Sequence, residues 1–195
     1  MIYIHIPFCK SRCLYCDFFS TTSSGLKNDF VNALSMEMKR RADEIRSARA
    51  NTVYIGGGTP SQLDVAQIER IFNELLQIVT LEDGAEVTIE CNPDDITPDF
   101  IRGLKSTPVN RISMGLQTLN DKLLALLRRR HTSAQALQAV DMLRRSGYDN
   151  ISLDLMYGLP GQTLEMWKED VQRVLSLSVP HLSAYSLQWE EGTPL

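Results

Sequence analysis

Short apolar runs recur six times along the chain, and longer stretches with a helical spacing of apolar residues separate them. Such runs predict strands, whereas apolar positions three and four residues apart predict one buried face of a helix. Their alternation favours parallel βα units, because neighbouring parallel strands need a long crossover connection. The predicted strands are residues 2–6, 52–55, 86–90, 111–115, 151–156 and 181–186, and the predicted helices are 27 to about 46, 61–79, 98–105, 121–145 with a break near Thr132, and 164–177.

Several helix boundaries carry local signals of their own. Thr59 and Thr97 each precede a proline, and Thr163 follows a Gly-Gln pair, so a capping or first-turn residue stands before each periodic segment. Gly147 follows another periodic segment and is typical of a helix end. Since the alternation continues without a linker, a low-complexity tract or a repeat, one α/β domain over residues 1–195 is the simplest interpretation.

Two architectures fit this order of elements, an open doubly wound sheet and a β/α barrel. Both place their ligands at the carboxyl ends of the strands, where most of the polar residues of chemical interest stand. Six βα units are fewer than the eight of a closed barrel. The chain ends soon after the sixth apolar run, before a covering helix, so we expect a piece of a longer protein.

Composition and charge narrow the choice of partners. Apolar residues make up 43% of the chain, enough for a core, and the net charge of -4 gives no long-range attraction to nucleic acid phosphates. No apolar run reaches the roughly 18 residues of a membrane span, and the amino terminus lacks the pattern of a signal peptide. We therefore expect a cytoplasmic protein without nucleic acid partners or a transmembrane segment, with peripheral membrane association left open.

Three of the four cysteines cluster directly after the first predicted strand. Cys9, Cys13 and Cys16 have the spacing Cys-x3-Cys-x2-Cys, which suits metal or redox chemistry better than disulfides in a reducing compartment. A structural zinc site would want a fourth ligand, and a thioredoxin-like pair would leave Cys9 unexplained. An iron–sulfur cluster uses all three thiolates and leaves one iron open to a small molecule. The zinc site remains an alternative at this stage, and Cys91 fits a buried packing role.

A glycine-rich segment ends the second predicted strand. Residues 56–58 are all glycine and are followed by Thr59 and Pro60. Glycines allow a backbone to approach a ligand closely and expose its N–H and C=O groups. A tight turn alone would explain one or two of the three, so a ligand-binding segment is favoured.

These motifs together resemble the radical S-adenosylmethionine (SAM) superfamily. Within it, the chain is similar to the oxygen-independent coproporphyrinogen III oxidase-like family, through the cysteine motif with Tyr15 before its last cysteine and through the Gly-Gly-Gly-Thr-Pro segment. The resemblance implies a partial (β/α)6 TIM-like barrel, truncated before a carboxyl-terminal domain. It also implies a 4Fe-4S cluster on the three cysteines and SAM on the open iron, cleaved to a 5′-deoxyadenosyl radical. Further matching segments are residues 3–9, 89–93, 110–117, 127–131, 154–163 and 185–187.

The same resemblance implies a set of SAM contacts. Glu90 and Asp154 end strands and offer carboxylates to ribose hydroxyls or an ammonium group, and Arg129 can pair with a ligand carboxylate. Arg129 could instead belong to a solvated basic run, whereas Asp154 in an apolar run needs a polar partner. The implied contacts are Tyr3, Tyr15, Gly57, Gly58, Thr59, Glu90, Gln117, Arg129 and Asp154, with the backbone of Gln188 as a weaker candidate.

Departures from the family pattern bear on function. Asp17 and Phe18 follow Cys16, where the oxidases carry a further Cys-x-Cys element, and this favours the haem-chaperone branch, which binds haem and transfers it to acceptor proteins. The alternative is oxidative decarboxylation of coproporphyrinogen III, so whether the chain is an enzyme stays open. The expected ligands are SAM and either haem or a porphyrinogen. Arg128 takes a place often held by glycine, which leaves the local helix end in question.

Overall fold

In the computed structural model, which describes residues 1–45 and 49–195, the strands form a single six-stranded sheet. All five pairings between neighbouring strands are parallel. The strands follow one another across the sheet in chain order. They are β1 (Ile2–Ile6), β2 (Arg49–Gly57), β3 (Thr80–Cys91), β4 (Arg111–Gln117), β5 (Ile151–Tyr157) and β6 (His181–Ser186).

The sequential strand order decides between the two predicted architectures. A doubly wound sheet reverses direction at a switch point, whereas this sheet adds each strand beside the previous one. With right-handed crossovers, that order sends every connecting helix to the same face. The predicted partial (β/α)6 TIM-like barrel of parallel strands is confirmed.

The helices lie between the strands as predicted, with boundaries set by local capping. Asp64 caps one helix and Thr132 another, each through a capping box with the glutamine three residues later. Thr132 is therefore the predicted break, since one helix ends before it and another begins after it. The helices are α1 (Lys27–Arg40), α2 (Ala42–Ile45), α3 (Val65–Leu76), α4 (Pro98–Leu104), α5 (Asp121–Leu126), α6 (Ser133–Arg145) and α7 (Leu164–Ser176).

Two predicted helices differ from the structure by more than one residue at an end. The helix predicted from residue 61 begins only at Val65, because a 3-10 turn over Pro60–Gln62 comes first and Leu63 has an extended backbone, ψ 146°. The first predicted helix is divided into α1 and α2 at Arg41, and its predicted last residue, Arg46, lies outside the described residues.

β2 and β3 extend further than their apolar runs suggest. Arg49 and Ala50 pair with Thr80 and Leu81 before an irregularity shifts the register at Thr52. Ala50 of this added ladder is buried in the core and Leu81 packs against it, while Arg49 and Thr80 are exposed and are held by the backbone pairing. The irregularity lies near the amino ends of both strands, away from the glycine-rich segment.

Successive residues of each strand point to opposite faces of the sheet. One set is apolar and fully buried against the helices, as with Ile89, Met114 and Leu153, and forms the main core with α3, α4 and α6. The other set is small or polar and faces a cavity, as with Ser113 and Ser152. We call these the outer and inner faces of the sheet. No helix in the described part of the chain has both the length and the apolar character that crossing a bilayer requires.

Candidate functional site

A cavity of about 430 Å³ lies on the inner face and opens at the carboxyl ends of the strands. Carboxyl ends are where parallel β/α folds place their ligands. The predicted site residues all line this cavity except Tyr3 and Gln188. Its lining comprises Cys9, Ser11, Arg12, Cys13, Tyr15, Cys16, Phe18, Tyr54, Gly57, Gly58, Thr59, Glu90, Cys91, Asn92, Arg111, Ser113, Gly115, Gln117, Arg129, Ser152, Asp154, Ser183 and Tyr185.

The cysteine loop is fixed by backbone hydrogen bonds at both of its ends. The Thr21 N–H donates to the Pro7 carbonyl at 2.6 Å, and the Cys9 N–H donates to the Thr21 carbonyl at 2.9 Å. In the middle of the loop, the Leu14 N–H donates to the Leu127 carbonyl at 3.2 Å. The irregular loop therefore presents its thiols from a defined position above β1 and α5.

Two of the clustered sulfurs receive hydrogen bonds from predicted SAM contacts. The Thr59 hydroxyl lies 3.5 Å from Cys9 Sγ, and Arg129 Nη1 lies 3.4 Å from Cys13 Sγ. Donors and a positive charge beside a sulfur favour the thiolate that a metal requires. Burial raises the pKa of Cys16, which the Phe18 backbone N–H partly offsets. Metal coordination would stabilise the thiolate at each position.

The arrangement of the three thiols bears on which metal group they can hold. All three cysteines are partly exposed and line one cavity. Within residues 1–45 and 49–195, no three His, Cys, Asp or Glu side chains group as the ligands of one metal ion. A 4Fe-4S cluster takes each thiolate on a different iron and does not need such convergence, so the residues fit it. Cys91 is buried, and burial raises the pKa of its thiol.

The glycine-rich segment continues the pairing of β1 and β2 towards the cysteine loop. The Gly58 N–H donates to the Ile6 carbonyl and the Thr59 N–H to the Phe8 carbonyl, both at 2.8 Å. A Cβ on Gly58 would lie 2.9 Å from the Phe8 carbonyl oxygen and 3.1 Å from Cys9 Sγ. Glycine is thus required for the segment to lie directly against the cysteine loop.

Glu90 has both carboxylate oxygens held by β2. The Tyr54 hydroxyl donates to Oε1 at 2.7 Å, and the Gly57 N–H donates to Oε2 at 3.0 Å. Burial raises the pKa of Glu90, while these two hydrogen bonds act in the opposite direction. The carboxylate is therefore held in one orientation at the wall of the cavity.

Asp154 occupies the inner face of β5. Burial raises its pKa, while the hydroxyl of Ser183 on β6 and the charge of Arg111 lower it. Ser183 is the register partner of Asp154 and supplies the polar group that its place in an apolar run requires. A partly desolvated carboxylate at this position can accept hydrogen bonds from a ligand.

Arg129 lies inside the site and not on a solvated face. Its Nη2 donates to the Asn92 side chain at 2.8 Å and to the Gly115 carbonyl at 2.6 Å, while Nη1 reaches the Tyr15 hydroxyl at 3.5 Å. Its Nε is buried without a protein partner among the described residues. Arg128, by contrast, is exposed and has φ 55°, so it takes up the left-handed helix end that glycine usually provides.

Gln117 closes β4 with an unusual backbone. Its φ is 68°, its side chain is buried, and the ladder with β5 shifts register between Gly115 and Gln117. The hydroxyl of Tyr185 on β6 donates to Gln117 Oε1 at 2.8 Å. The side chain is thereby held at the edge of the cavity.

Two predicted contacts stand apart from the cavity lining. The Tyr3 ring stacks on Tyr54, with centroids 6.2 Å apart, and its hydroxyl lies 3.0 Å from His5 Nδ1. The other nitrogen of His5 lies 3.0 Å from the Phe19 carbonyl oxygen. Gln188 follows β6 and is exposed. Contacts of Tyr3 and Gln188 with SAM stay predictions.

Sequence reasoning missed several residues that line the cavity, most clearly Tyr54, Arg111 and Tyr185. All three lie on the same face of the sheet as Glu90 and Asp154, each on a strand that neighbours theirs. The period of two in each strand was the signal that could have identified them. Sequence patterns cannot show which of the two faces encloses a cavity, because that depends on which one the helices cover.

His131 and His181 do not line the cavity. His131 is buried, its Nε2 lies 3.3 Å from the Leu116 carbonyl oxygen, and burial lowers its pKa to about 3. His131 is therefore uncharged at neutral pH and has a structural role. His181 is the first residue of β6 and is exposed, at the opposite end of the strand from the cysteine loop.

Comparisons with known proteins show the family of the chain. The family model described as Radical SAM superfamily matches residues 3–174. The chain is 43% identical over 192 residues to the haem chaperone HemW of Lactococcus lactis, covering 98% of this chain and 50% of that protein. It is 38% identical over 193 residues to HemW of Bacillus subtilis, with coverage of 98% and 51%. It thus spans about half the length of the curated relatives it matches.

A solved structure gives the same picture of the fold. The coproporphyrinogen III oxidase HemN of Escherichia coli, described as a radical SAM enzyme, superposes with a TM-score of 0.89 and 31% identity. The match covers 96% of this chain and 44% of that one.

Proposed function

The chain belongs to the radical SAM superfamily, and from that premise we propose that it is the cofactor-binding core of a haem chaperone. Membership implies a 4Fe-4S cluster and SAM. The proposed cellular role is to bind haem and deliver it to acceptor proteins. The observation that carries the proposal is the convergence of the three-cysteine loop, the glycine-rich segment and the strand-end side chains on one cavity.

Cys9, Cys13 and Cys16 would hold the cluster. When bound, the cluster would supply the electron for reductive cleavage of SAM. Thr59 and Arg129 donate hydrogen bonds to the Cys9 and Cys13 sulfurs and stabilise their negative charge. The backbone hydrogen bonds at the ends of the loop keep the thiols in place before metal binds.

The remaining predicted contacts would hold SAM. Glu90 and Asp154 offer carboxylates to the ribose hydroxyls or the ammonium group, and Arg129 offers its guanidinium to the carboxylate. Gly57 and Gly58 bring their backbone to the wall of the cavity without a side chain. Because Tyr54 and Gly57 already hold the Glu90 side chain in one orientation, this side chain loses less conformational entropy when SAM binds.

The haem-chaperone role is favoured by the end of the cysteine loop. Asp17 and Phe18 follow Cys16 in place of a further pair of cysteines, and both are exposed. The similarity to HemW proteins supports the same interpretation. The second candidate is oxidation of coproporphyrinogen III, which the structural similarity to HemN supports. Haem, porphyrinogen and acceptor proteins are therefore proposed partners of the whole protein.

The cluster is tested by anaerobic reconstitution of the chain followed by iron and sulfide analysis. We expect about four irons per chain with thiolate-to-iron charge-transfer absorption. A variant with Cys9, Cys13 and Cys16 all replaced by alanine should lose the iron, whereas Cys91→Ala is the matched control and should keep it. Zinc without iron or sulfide would contradict the proposal, as would iron retained by the triple variant.

The two candidate roles are separated by ligand and product. The reconstituted chain is titrated with haem and followed by its Soret absorption. In parallel it is incubated with coproporphyrinogen III, SAM and a reductant. Haem uptake without porphyrinogen turnover supports the chaperone. Release of 5′-deoxyadenosine with matching protoporphyrinogen formation, and no stable haem complex, would replace it by the oxidase.

A further inference from the structure

We propose that Tyr185 is a positioning residue that fixes the Gln117 carboxamide so that its N–H groups face the ligand in the cavity. The inference rests on the proposed binding of SAM at this site. Tyr185 lies on β6 and Gln117 at the end of β4, so the contact spans β5 and ties the last strand to the site.

The backbone of Gln117 is the first observation. Gln117 has φ 68°, a left-handed conformation that is strained for a residue other than glycine. The neighbouring register shift shows that the strand departs from a regular ladder at this point. Strain that persists at the edge of a cavity indicates a functional side chain.

The orientation of the carboxamide is the second observation. Because the Tyr185 hydroxyl donates to Oε1 at 2.8 Å, both N–H groups on Nε2 remain available. In the part of the chain that the structure describes, no protein acceptor takes a hydrogen bond from Nε2. A Cβ on Gly115 would lie 2.8 Å from Nε2, so the glycine leaves room for the amide. The amide can thus donate to an acceptor atom of SAM, such as a ribose or carboxylate oxygen.

The state of Tyr185 supports its role as the donor. Burial, together with the charge of Asp154, raises the pKa of Tyr185 to about 12. The phenol therefore keeps its proton at any working pH. Tyr185 as a whole is 41% exposed, while its hydroxyl lies in the site against Gln117, so removal of the hydroxyl should leave the packing of the ring unchanged.

The test is a double-mutant cycle on SAM affinity, measured by calorimetry on the anaerobically reconstituted chain. Tyr185→Phe should weaken SAM binding about 3- to 10-fold, the effect of one oriented hydrogen bond. In a Gln117→Ala background the same change should have no further effect, because Tyr185 acts through Gln117. Gln117→Glu should also bind weakly, since it keeps an acceptor for Tyr185 but lacks the N–H donors.

The matched control is Tyr157→Phe, at the carboxyl end of the neighbouring strand. Tyr157 is 43% exposed and does not line the cavity, so its variant should bind SAM as the wild type does. Urea unfolding midpoints should agree among the variants that are compared. Unchanged affinity in Tyr185→Phe, or an equal loss in both backgrounds, would overturn the positioning role alone. A wild-type chain that carries the cluster but does not bind SAM would overturn the proposed function and this inference together.

Discussion

The two faces of the sheet differ in what their side chains contribute, although they alternate along the same strands. On β5, Leu153 and Leu155 point outward and are buried against the helices. Between and beside them, Ser152 and Asp154 point inward and line the cavity. The outer face contributes apolar burial, and the inner face contributes polar groups whose stability cost the outer face offsets.

The inner face holds both a strained backbone and partly buried charges. Burial raises the pKa of both Glu90 and Asp154, and Gln117 holds a left-handed backbone at the end of β4. The buried Nε of Arg129 has no protein partner among the described residues. These groups cost the fold stability, and they lie where a ligand is expected.

The largest expected effect is the difference in stability lost when neighbouring residues of β5 on the outer and inner faces are replaced by alanine. Leu153→Ala should lower the free energy of unfolding by about 2–5 kcal/mol, because the side chain is fully buried and leaves a cavity. Ser152→Ala, the adjacent residue on the inner face, should change it by less than about 1 kcal/mol. Urea unfolding measures both. Equal losses in the two variants would remove the distinction between the faces.

The next largest effect on stability is expected at Gly58, which follows β2 at the carboxyl edge of the sheet and lies against the cysteine loop. Gly58→Ala should cost about 1–3 kcal/mol, since its Cβ would lie 2.9 Å from the Phe8 backbone oxygen. It should also lower the iron bound after reconstitution, because the new methyl group lies against Cys9. Gly25→Ala is the control, with nothing within 4 Å of its Cβ. Normal stability and iron content in Gly58→Ala would contradict the close packing.

A smaller effect is expected from two residues with a left-handed backbone, Gln117 inside the site and Arg128 exposed to solvent. Arg128 has φ 55° and is exposed, so Arg128→Gly should stabilise the protein by up to about 1 kcal/mol without loss of SAM affinity. Gln117→Gly relieves the same kind of backbone but should weaken SAM binding. Thermal unfolding and calorimetry measure the two properties. Weakened SAM binding in Arg128→Gly would place Arg128 in the site.

The smallest expected change in stability is at Asp154. Burial raises its pKa above the usual 3.8, so the folded protein holds this proton more tightly than the unfolded chain does. The stability that the group contributes is therefore present at low pH and is lost as pH rises through the raised pKa. The asparagine side chain in Asp154→Asn cannot ionise. The free energy of unfolding of this variant, measured with urea relative to that of the wild type, should therefore increase from pH 4 to pH 7. A difference that stays constant or shrinks with pH would contradict the raised pKa.

Much of the fold follows from local patterns. β1 and β6 have the predicted bounds, and the break in the helical segment falls at Thr132, where a capping box satisfies the first backbone N–H groups of α6. The start of α3 was predicted too early, since Thr59 and Pro60 open a 3-10 turn and Asp64 is the residue that caps the helix. Capping depends on a few neighbouring residues, which is why one such signal succeeded and another misled.

The sequence by itself determined the alternation of strands and helices, the cysteine loop, and the carboxylates at strand ends, because each depends on residues close together in the chain. The tertiary structure alone decided the sequential strand order, and with it which face encloses the cavity. It also brought Tyr185 to Gln117 and Arg129 to Cys13. These contacts join residues far apart in sequence, and their geometry depends on how all six strands pack together.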